Sequence, residues 1–346
     1  MQRGIIKLIS ILSLLFLGSC VSDKPDIQPE VPISTSKASG VFIINEGNFQ
    51  YGNSSVSYYN FSDGKVTEDV FQAANKRPLG DVCQSINVFD GKAYVVVNNS
   101  GKIEIVDPND FSSIGVIQGL TSPRYFLGVT PEKAYVTDLF GNAISVIDLT
   151  TNKKVKEIPC AGWTEELLMT SSRVFVTNIE KEYLYVVDIS SDKITDSIQL
   201  GKAPNSLQLD RDGKLWVLCR GKKNETPGSL HRIDPVTLDV EVTLPFANSS
   251  YEPWRLRING SRDTLYYLND GVYQLSVYQT QLPAQPLISP NGIEIWGLGI
   301  QPDSGIVYVS DAIDYIQKGK VYRYKSDGTL INSFQVGITP GEFYFY

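Results

Sequence analysis

Apolar and polar positions alternate along most of this chain, most clearly over residues 134–158, AYVTDLFGNAISVIDLTTNKKVKEI. The alternation predicts three short strands at 134–137, 143–148 and 153–158, separated by the polar turns LFGN and LTTN. A period of two at Tyr135/Thr137 and at Ile144/Val146/Asp148 is that of a sheet. Turns rich in Gly and Asn make it a meander. A three-stranded meander cannot bury both its faces alone, so the pattern is expected to recur.

It recurs seven times. Aligning the aromatic of the first strand finds Phe42, Tyr94, Tyr135, Phe175, Trp216, Tyr266 and Tyr308, at intervals of 40 to 52 residues. That is about the length of one four-stranded propeller blade. The next strand returns at 56–61, 103–108, 184–189, 230–235, 275–280 and 321–326. A further strand precedes each aromatic, at 82–89, 123–130, 165–172, 204–211, 253–260 and 296–303. Nothing of this kind precedes Phe42, but the chain ends on PGEFYFY (340–346), which matches the missing strand. The prediction is an all-β, seven-bladed propeller of four-stranded blades over 39–346, its C-terminal strand completing the N-terminal blade. Such a join leaves no open sheet edges around the ring.

The stretch AYVTDLFGNAISVIDLTTNKKVKEI resembles the YVTN repeat of the YncE-like, surface-layer-type propellers, and the resemblance covers essentially 39–346. Blades two to five keep the pattern best. The sixth departs from it (LYYLNDGVYQLSVYQT), and the seventh carries the longer insertion SDAIDYIQKGK. This fold hosts many functions, so the repeat by itself implies architecture only.

Ahead of the propeller, Arg3 and Lys7 accompany an apolar run from Ile5 to Leu17 that ends in Leu-Gly-Ser-Cys. The run is short for a membrane span and ends in small residues, as a cleaved signal does. Residues 17–20 resemble the bacterial lipobox, which implies a lipoprotein signal over 1–19 and lipidation of Cys20. The following VSDKPD resembles the surface-export signal of Bacteroidetes lipoproteins. Residues 20–38 are rich in Pro, Ser and charge and read as a flexible tether. The expected location is the outer membrane, lipid-anchored and exposed at the cell surface.

Net charge is −7, or −9 once Arg3 and Lys7 leave with the signal. An acidic chain with no run of Lys or Arg is a poor partner for nucleic acid. Cys83, Cys160 and Cys219 fall in different blades and imply no disulfide framework. The one histidine, His231, excludes a His-cluster metal site. It shares a repeat column with Ser57, Glu104, Ser145, Tyr185, Ser276 and Tyr322, and reads as a solvated mid-strand residue rather than a base. No GxSxG, P-loop, HExxH or EF-hand loop is present. Asp107, Asp148, Asp188 and Asp234 occupy one column at strand ends, where side-chain capping of turns accounts for them. Nothing here calls for catalysis or a required cofactor, so a non-catalytic binding protein is expected.

In a propeller the innermost strand starts, and the second strand ends, on one face around the channel. The variable residues at those positions are the candidate ligand set: Asp81, Arg124, Tyr125, Phe140, Trp163, Glu165, Asn205, Arg220, Trp254, Arg255 and Trp296. Glu46, Gln84, Asn98, Asp138, Asn178, Asp270, Asp311 and Glu342 lie at the same level. The insertions at 222–228 and 313–319 fall on that face too, where long loops on a rigid scaffold carry function. Three of the four tryptophans fall in the set, and the fourth, Trp216, reads as a blade-core residue. Aromatics mixed with amide, carboxylate and guanidinium groups suit a large amphipathic ligand.

Lipobox, acidic leader, tether and seven blades together resemble the BtuG-type surface lipoproteins of Bacteroidetes. That resemblance implies capture of cobalamin, or another corrinoid, for a TonB-dependent outer-membrane transporter. Two other readings stay open. One is a glycan- or protein-binding surface propeller. The other is a metal-dependent propeller hydrolase using oxygen ligands from Glu46, Asp81, Glu165, Asn205 and Asp270.

Overall fold

A computed structural model describes residues 38–346. The signal segment, Cys20 and all but the last residue of the expected tether lie outside the described residues. The alternating strands form seven antiparallel sheets. The innermost strand of each sheet packs on that of the next, and the seventh packs on the first. The fold is a seven-bladed β-propeller, with blades numbered here in chain order. Blade 1 is closed as expected: Pro340–Phe345 pairs antiparallel with Gly40–Asn45, setting Phe343 opposite Ile43 and Phe345 opposite Val41.

The other inner strands are Cys83–Phe89, Pro123–Thr130, Thr164–Thr170, Pro204–Leu209, Trp254–Ile258 and Ile295–Ile300. All seven column aromatics, from Phe42 to Tyr308, are at most 3% exposed, so this column is the core of the blades. Trp216 adds a hydrogen bond from Nε1–H to Asp210 Oδ2 at 2.9 Å, which satisfies its only polar atom. The aspartate column caps turns: Asp148 Oδ1 accepts from Thr150 N, Asp188 Oδ1 from Ser191 N and Asp234 Oδ1 from Val236 N, each at 2.7–2.8 Å.

Three expectations need correction. The third strand of blade 6 spans Val272–Ser276 rather than 275–280. Asp270 and Gly271 both have positive φ and turn the chain at once, so Val272 already faces Leu268. Blade 6 also has three strands, and a single bridge between Val272 and Ile288 stands where its outer strand would be. Finally, His231 is buried, not solvated. It lies between Ser229 Oγ at 2.8 Å and Thr243 Oγ1 at 3.1 Å, and burial lowers its pKa to about 4.

Candidate functional site at the channel mouth

Every inner strand carries a register break near its start. The breaks fall at Gln84, Arg124–Tyr125, Glu165–Glu166, Asn205, Arg255–Leu256, Trp296–Gly297 and Gly341. A bulge adds one residue to one strand, bends it and re-aims side chains. Here, in six of the seven blades, the bulged positions bring polar or aromatic residues to the channel mouth.

Hydroxyls lock the bulges in place. Thr137 Oγ1 accepts from Tyr125 N in its own blade and donates to Glu165 C=O in the next. Thr177 does the same between Glu166 N and Asn205 C=O, and Ser310 between Gly297 N and Pro340 C=O. The backbone groups that a bulge leaves unpaired are thus satisfied by the side chain that ties two blades together. The mouth is a braced ring.

On that ring stands a girdle of buried charge. Arg124 grips Glu165 bidentately, Nε and Nη2 each at 2.7 Å, while Nη1 donates to Gln84 and Trp163 Nε1–H donates to Glu165. Arg257 in blade 6 reaches across the channel to Glu166 of blade 4 at 3.0 Å and to both oxygens of Glu342 of blade 1 at 2.7–2.8 Å. Arg255 donates to Glu342 at 2.9 Å and approaches Glu46 at 3.7 Å, and Trp296 Nε1–H donates to Glu46 at 2.8 Å. Burial raises the Glu166 carboxyl to about 7, with Arg257 opposing it, and raises Glu46 as well. Gly341 has no side chain because a Cβ there would strike Glu46.

Of the residues singled out in the sequence, Arg124, Trp163, Glu165, Trp254, Arg255 and Trp296 gather in this girdle. The guanidinium of Arg124 lies 5.2 Å from the Trp163 ring, and that of Arg255 lies 5.0 Å from the Trp254 ring. Tyr125 stands half-buried among them, and Asn205 is buried in its bulge. Asp81 and Arg220 sit apart from the girdle, on the rim. Asp81 Oδ2 accepts from Gln50 N and from Asn99 Nδ2, bracing the 46–53 loop, and Arg220 pairs with Glu252 at 3.3 Å. Phe140 is the exposed tip of its loop. Asp138, Asn178 and Asp311 are loop caps: Asp138 accepts from Ser122, Phe140 and Gly141 N–H groups, and Asp311 from Glu294 and Ile313. Among the described residues no group of three or more His, Cys, Asp or Glu is placed to hold a metal ion.

Sequence reasoning missed Glu166 and Arg257. A period of two sends Glu165 and Glu166 to opposite faces of a strand, yet the bulge sends both toward the lumen. The only available signal was the run of adjacent charges at strand starts, Glu165-Glu166 and Arg255-Leu-Arg257.

Around the girdle rise the loops. Phe49, Tyr51, Phe140, Tyr183, Tyr251 and Tyr315 are exposed, and all lie in or beside second-to-third-strand loops or blade-to-blade connections, on the mouth side. Among the described residues Tyr278 is the seventh large exposed aromatic, and it alone of the seven is placed elsewhere. Between blades 4 and 5 the same face holds a cleft of 290 Å³, lined by Glu180, Lys181, Glu182, Lys202 and Lys222 among others.

Residues 39–345 match the family described as a domain of unknown function, DUF5074, and the chain belongs to that family. Among curated proteins none matches the sequence. Several solved structures share its fold. A quinonprotein alcohol dehydrogenase-like protein from Bacteroides thetaiotaomicron VPI-5482 superposes with a TM-score of 0.72 at 17% identity, covering 89% of this chain and 78% of that one. A 6-phosphogluconolactonase-like protein from Bacteroides fragilis NCTC 9343 gives 0.64 at 14%, covering 89% and 98%. Apo AztD from Citrobacter koseri gives 0.56 at 10%, covering 89% and 97%. At these identities the likeness is one of fold.

Proposed function

We propose that this member of the DUF5074 family is a non-catalytic binding protein that captures a large amphipathic ligand on the mouth face. The observation that carries the reading is the gathering of six of the seven large exposed aromatics around a braced guanidinium–carboxylate girdle. Exposed aromatics cost solubility, and rigid aromatic anchors beside fixed polar groups are what binding surfaces use. The girdle's charged groups are bonded to one another, which suits holding a ligand better than transferring protons to it.

Topology supports the orientation. The chain enters the ring at Ser39 beside the C-terminal Tyr346, whose carbonyl accepts from the N–H groups of Ser39 and Gly40. The second strand of blade 1 then runs toward the mouth, so anything attached upstream hangs from the opposite face. A Cys20 lipid anchor, as the lipobox implies, would leave a tether spanning at most about 65 Å and point the mouth away from the membrane. In this reading the protein sits on the outer membrane at the cell surface. The ligand is cobalamin or a related corrinoid, passed to a TonB-dependent transporter, as the resemblance to BtuG-type lipoproteins implies. A broad, amide-edged molecule matches the mixture of Trp, Asn, Arg and Glu around the mouth.

The test is calorimetric titration of residues 21–346 with cyanocobalamin, beside the Trp254→Ala/Trp296→Ala double variant. One-to-one binding that the double variant weakens at least tenfold, or about 1.4 kcal/mol, is expected. Binding unchanged in the variant sinks the site, and no heat with folded protein sinks the corrinoid. Cys20→Ala should release the full-length protein from the membrane fraction.

A further inference from the structure

The girdle does not balance. Four carboxyl groups, Glu46, Glu165, Glu166 and Glu342, share three guanidiniums, Arg124, Arg255 and Arg257. Arg124 is committed to Glu165. Arg257 divides itself between Glu166 and Glu342, and Arg255 bonds Glu342 while coming no closer than 3.7 Å to Glu46. Glu46 is therefore the carboxylate left over. Its Oε1 accepts from Trp296, but Oε2 accepts no hydrogen bond among the described residues and is not one of the buried unpaired atoms. The Glu46 side chain keeps 18% of its surface exposed. Burial raising the Glu46 carboxyl, with Arg255 only partly opposing, fits a charge short of compensation.

Trp296, which donates to Glu46, is flanked by two more rings. The Trp254 and Trp296 centroids are 5.0 Å apart with planes at 67°, and Trp296 and Tyr315 are 5.2 Å apart at 87°. The third wall is held rigidly: Tyr315 OH donates to Glu294 at 2.7 Å, and its carbonyl accepts from Asn48 Nδ2. Tyr315 also keeps a positive φ, 62°, which a bulky residue adopts only when its surroundings insist. Near-perpendicular aromatic walls beside an uncompensated carboxylate attract an organic cation, because ring faces and the carboxylate carry the same negative sign. An anion is repelled by the same charge. A metal ion finds a single free oxygen where it needs several ligands.

We propose that Glu46, Trp254, Trp296 and Tyr315 form a subsite for an organic ammonium group. The proposal goes beyond the capture reading and does not depend on it. The Arg255 guanidinium stacked on Trp254 already shows the chemistry, and a ligand cation supplies the charge that Arg255 divides with Glu342.

The probe is choline, set against its neutral isostere 3,3-dimethyl-1-butanol, by tryptophan fluorescence and calorimetry on residues 21–346. Saturable choline binding is expected, with the isostere at least about tenfold weaker. Glu46→Gln, which keeps an acceptor for Trp296, should cost about tenfold, and Trp296→Phe should also weaken binding. Tyr278→Ala, on another part of the surface, should leave it unchanged. Equal binding of choline and isostere, unchanged binding in Glu46→Gln, or no saturation by about 50 mM overturns the proposal. If Glu46→Gln fails to fold, the isostere comparison and Trp296→Phe still decide it.

Discussion

At the end of the propeller opposite the mouth, one residue type returns at one place: Asp107, Asp148, Asp188 and Asp234 each fold a side-chain oxygen back onto the turn that follows. At the mouth the equivalent strand starts carry Gln84, Arg124, Glu165, Asn205, Arg255, Trp296 and Gly341, and only Arg124 and Arg255 share a residue type. The same backbone repeats at both ends, so the difference lies in what each end is for. In these four blades the turn makes the same demand and is met in the same way. The mouth has one lumen shared by seven blades, and each supplies a different part of a single constellation.

The comparison breaks first at the repeated core. Trp216 is fully buried with its indole N–H satisfied by Asp210, so Trp216→Ala should cost roughly 3–5 kcal/mol, read from the denaturant midpoint. Ligand affinity of the folded fraction should not change. If it does, core and mouth are one unit and the distinction fails.

Next comes the keystone of the unrepeated set. Glu342 receives both Arg255 and Arg257, and all three side chains are largely buried. Glu342→Ala leaves Arg255 without its bonded carboxylate and Arg257 with Glu166 alone, and removing one partner of a buried pair costs about 3–5 kcal/mol. Stability near that of the parent would mean a solvated mouth and no preorganised girdle.

What the sequence could reveal follows the same line. The blades, the closure by 340–346 and the turn column were legible because they repeat and obey a period of two. The level of the mouth was legible for the same reason, which is why Arg124, Glu165, Arg255 and the three tryptophans were found. Glu166 and Arg257 were hidden, because a bulge defeats the alternation used to find them. Burial of His231 was hidden as well: its column holds Ser57, Glu104 and Ser145, polar residues that are buried against neighbouring side chains rather than solvated. That Asp81 and Asp138 accept from backbone N–H groups was hidden too, since a carboxylate at a loop end looks the same whether it faces a ligand or caps an N–H.

Titration sharpens the comparison between wall and mouth, because the two buried groups pull in opposite directions. His231, lowered from 6.5 to about 4, takes up its proton only on unfolding. Its contribution to stability is complete above pH 6.5 and is lost as pH falls toward 4. Glu166, raised from 4.5 to about 7, keeps its proton in the folded state up to about that pH. Its contribution is complete below pH 4.5 and is lost as pH rises through 7. Each has a slope of at most about 1.4 kcal/mol per pH unit, and between pH 5 and 6.5 they oppose. Relative to the parent, His231→Gln should make stability increase more on acidification, and Glu166→Gln should make it decrease more. Urea midpoints across that window measure both, and matching slopes in the two variants would refute the assignment.

The smallest effect on stability should accompany the largest effect on binding. Tyr51 is 78% exposed and Phe140 is 70% exposed, each at the tip of a loop whose backbone is held by other residues. Asn48 N and Asn53 Nδ2 cross-link the first loop through Asn53 and Asn48 oxygens, and Asp138 Oδ1 holds the second through Phe140 N and Gly141 N. Neither ring supports its own loop, so Tyr51→Ala and Phe140→Ala should each change stability by no more than about 0.5 kcal/mol. A pair of rings displayed on braced loops loses little entropy when a ligand arrives, so the double variant should weaken capture of a mouth-face ligand about tenfold or more while the melting curve stays put. A double variant that binds as tightly as the parent would confine the site to the girdle and reduce the aromatic rim to ordinary surface. One that melts early would show that the rings brace the loops, and the contrast between a scaffold that repeats and a mouth that does not would have to be redrawn at the loop tips.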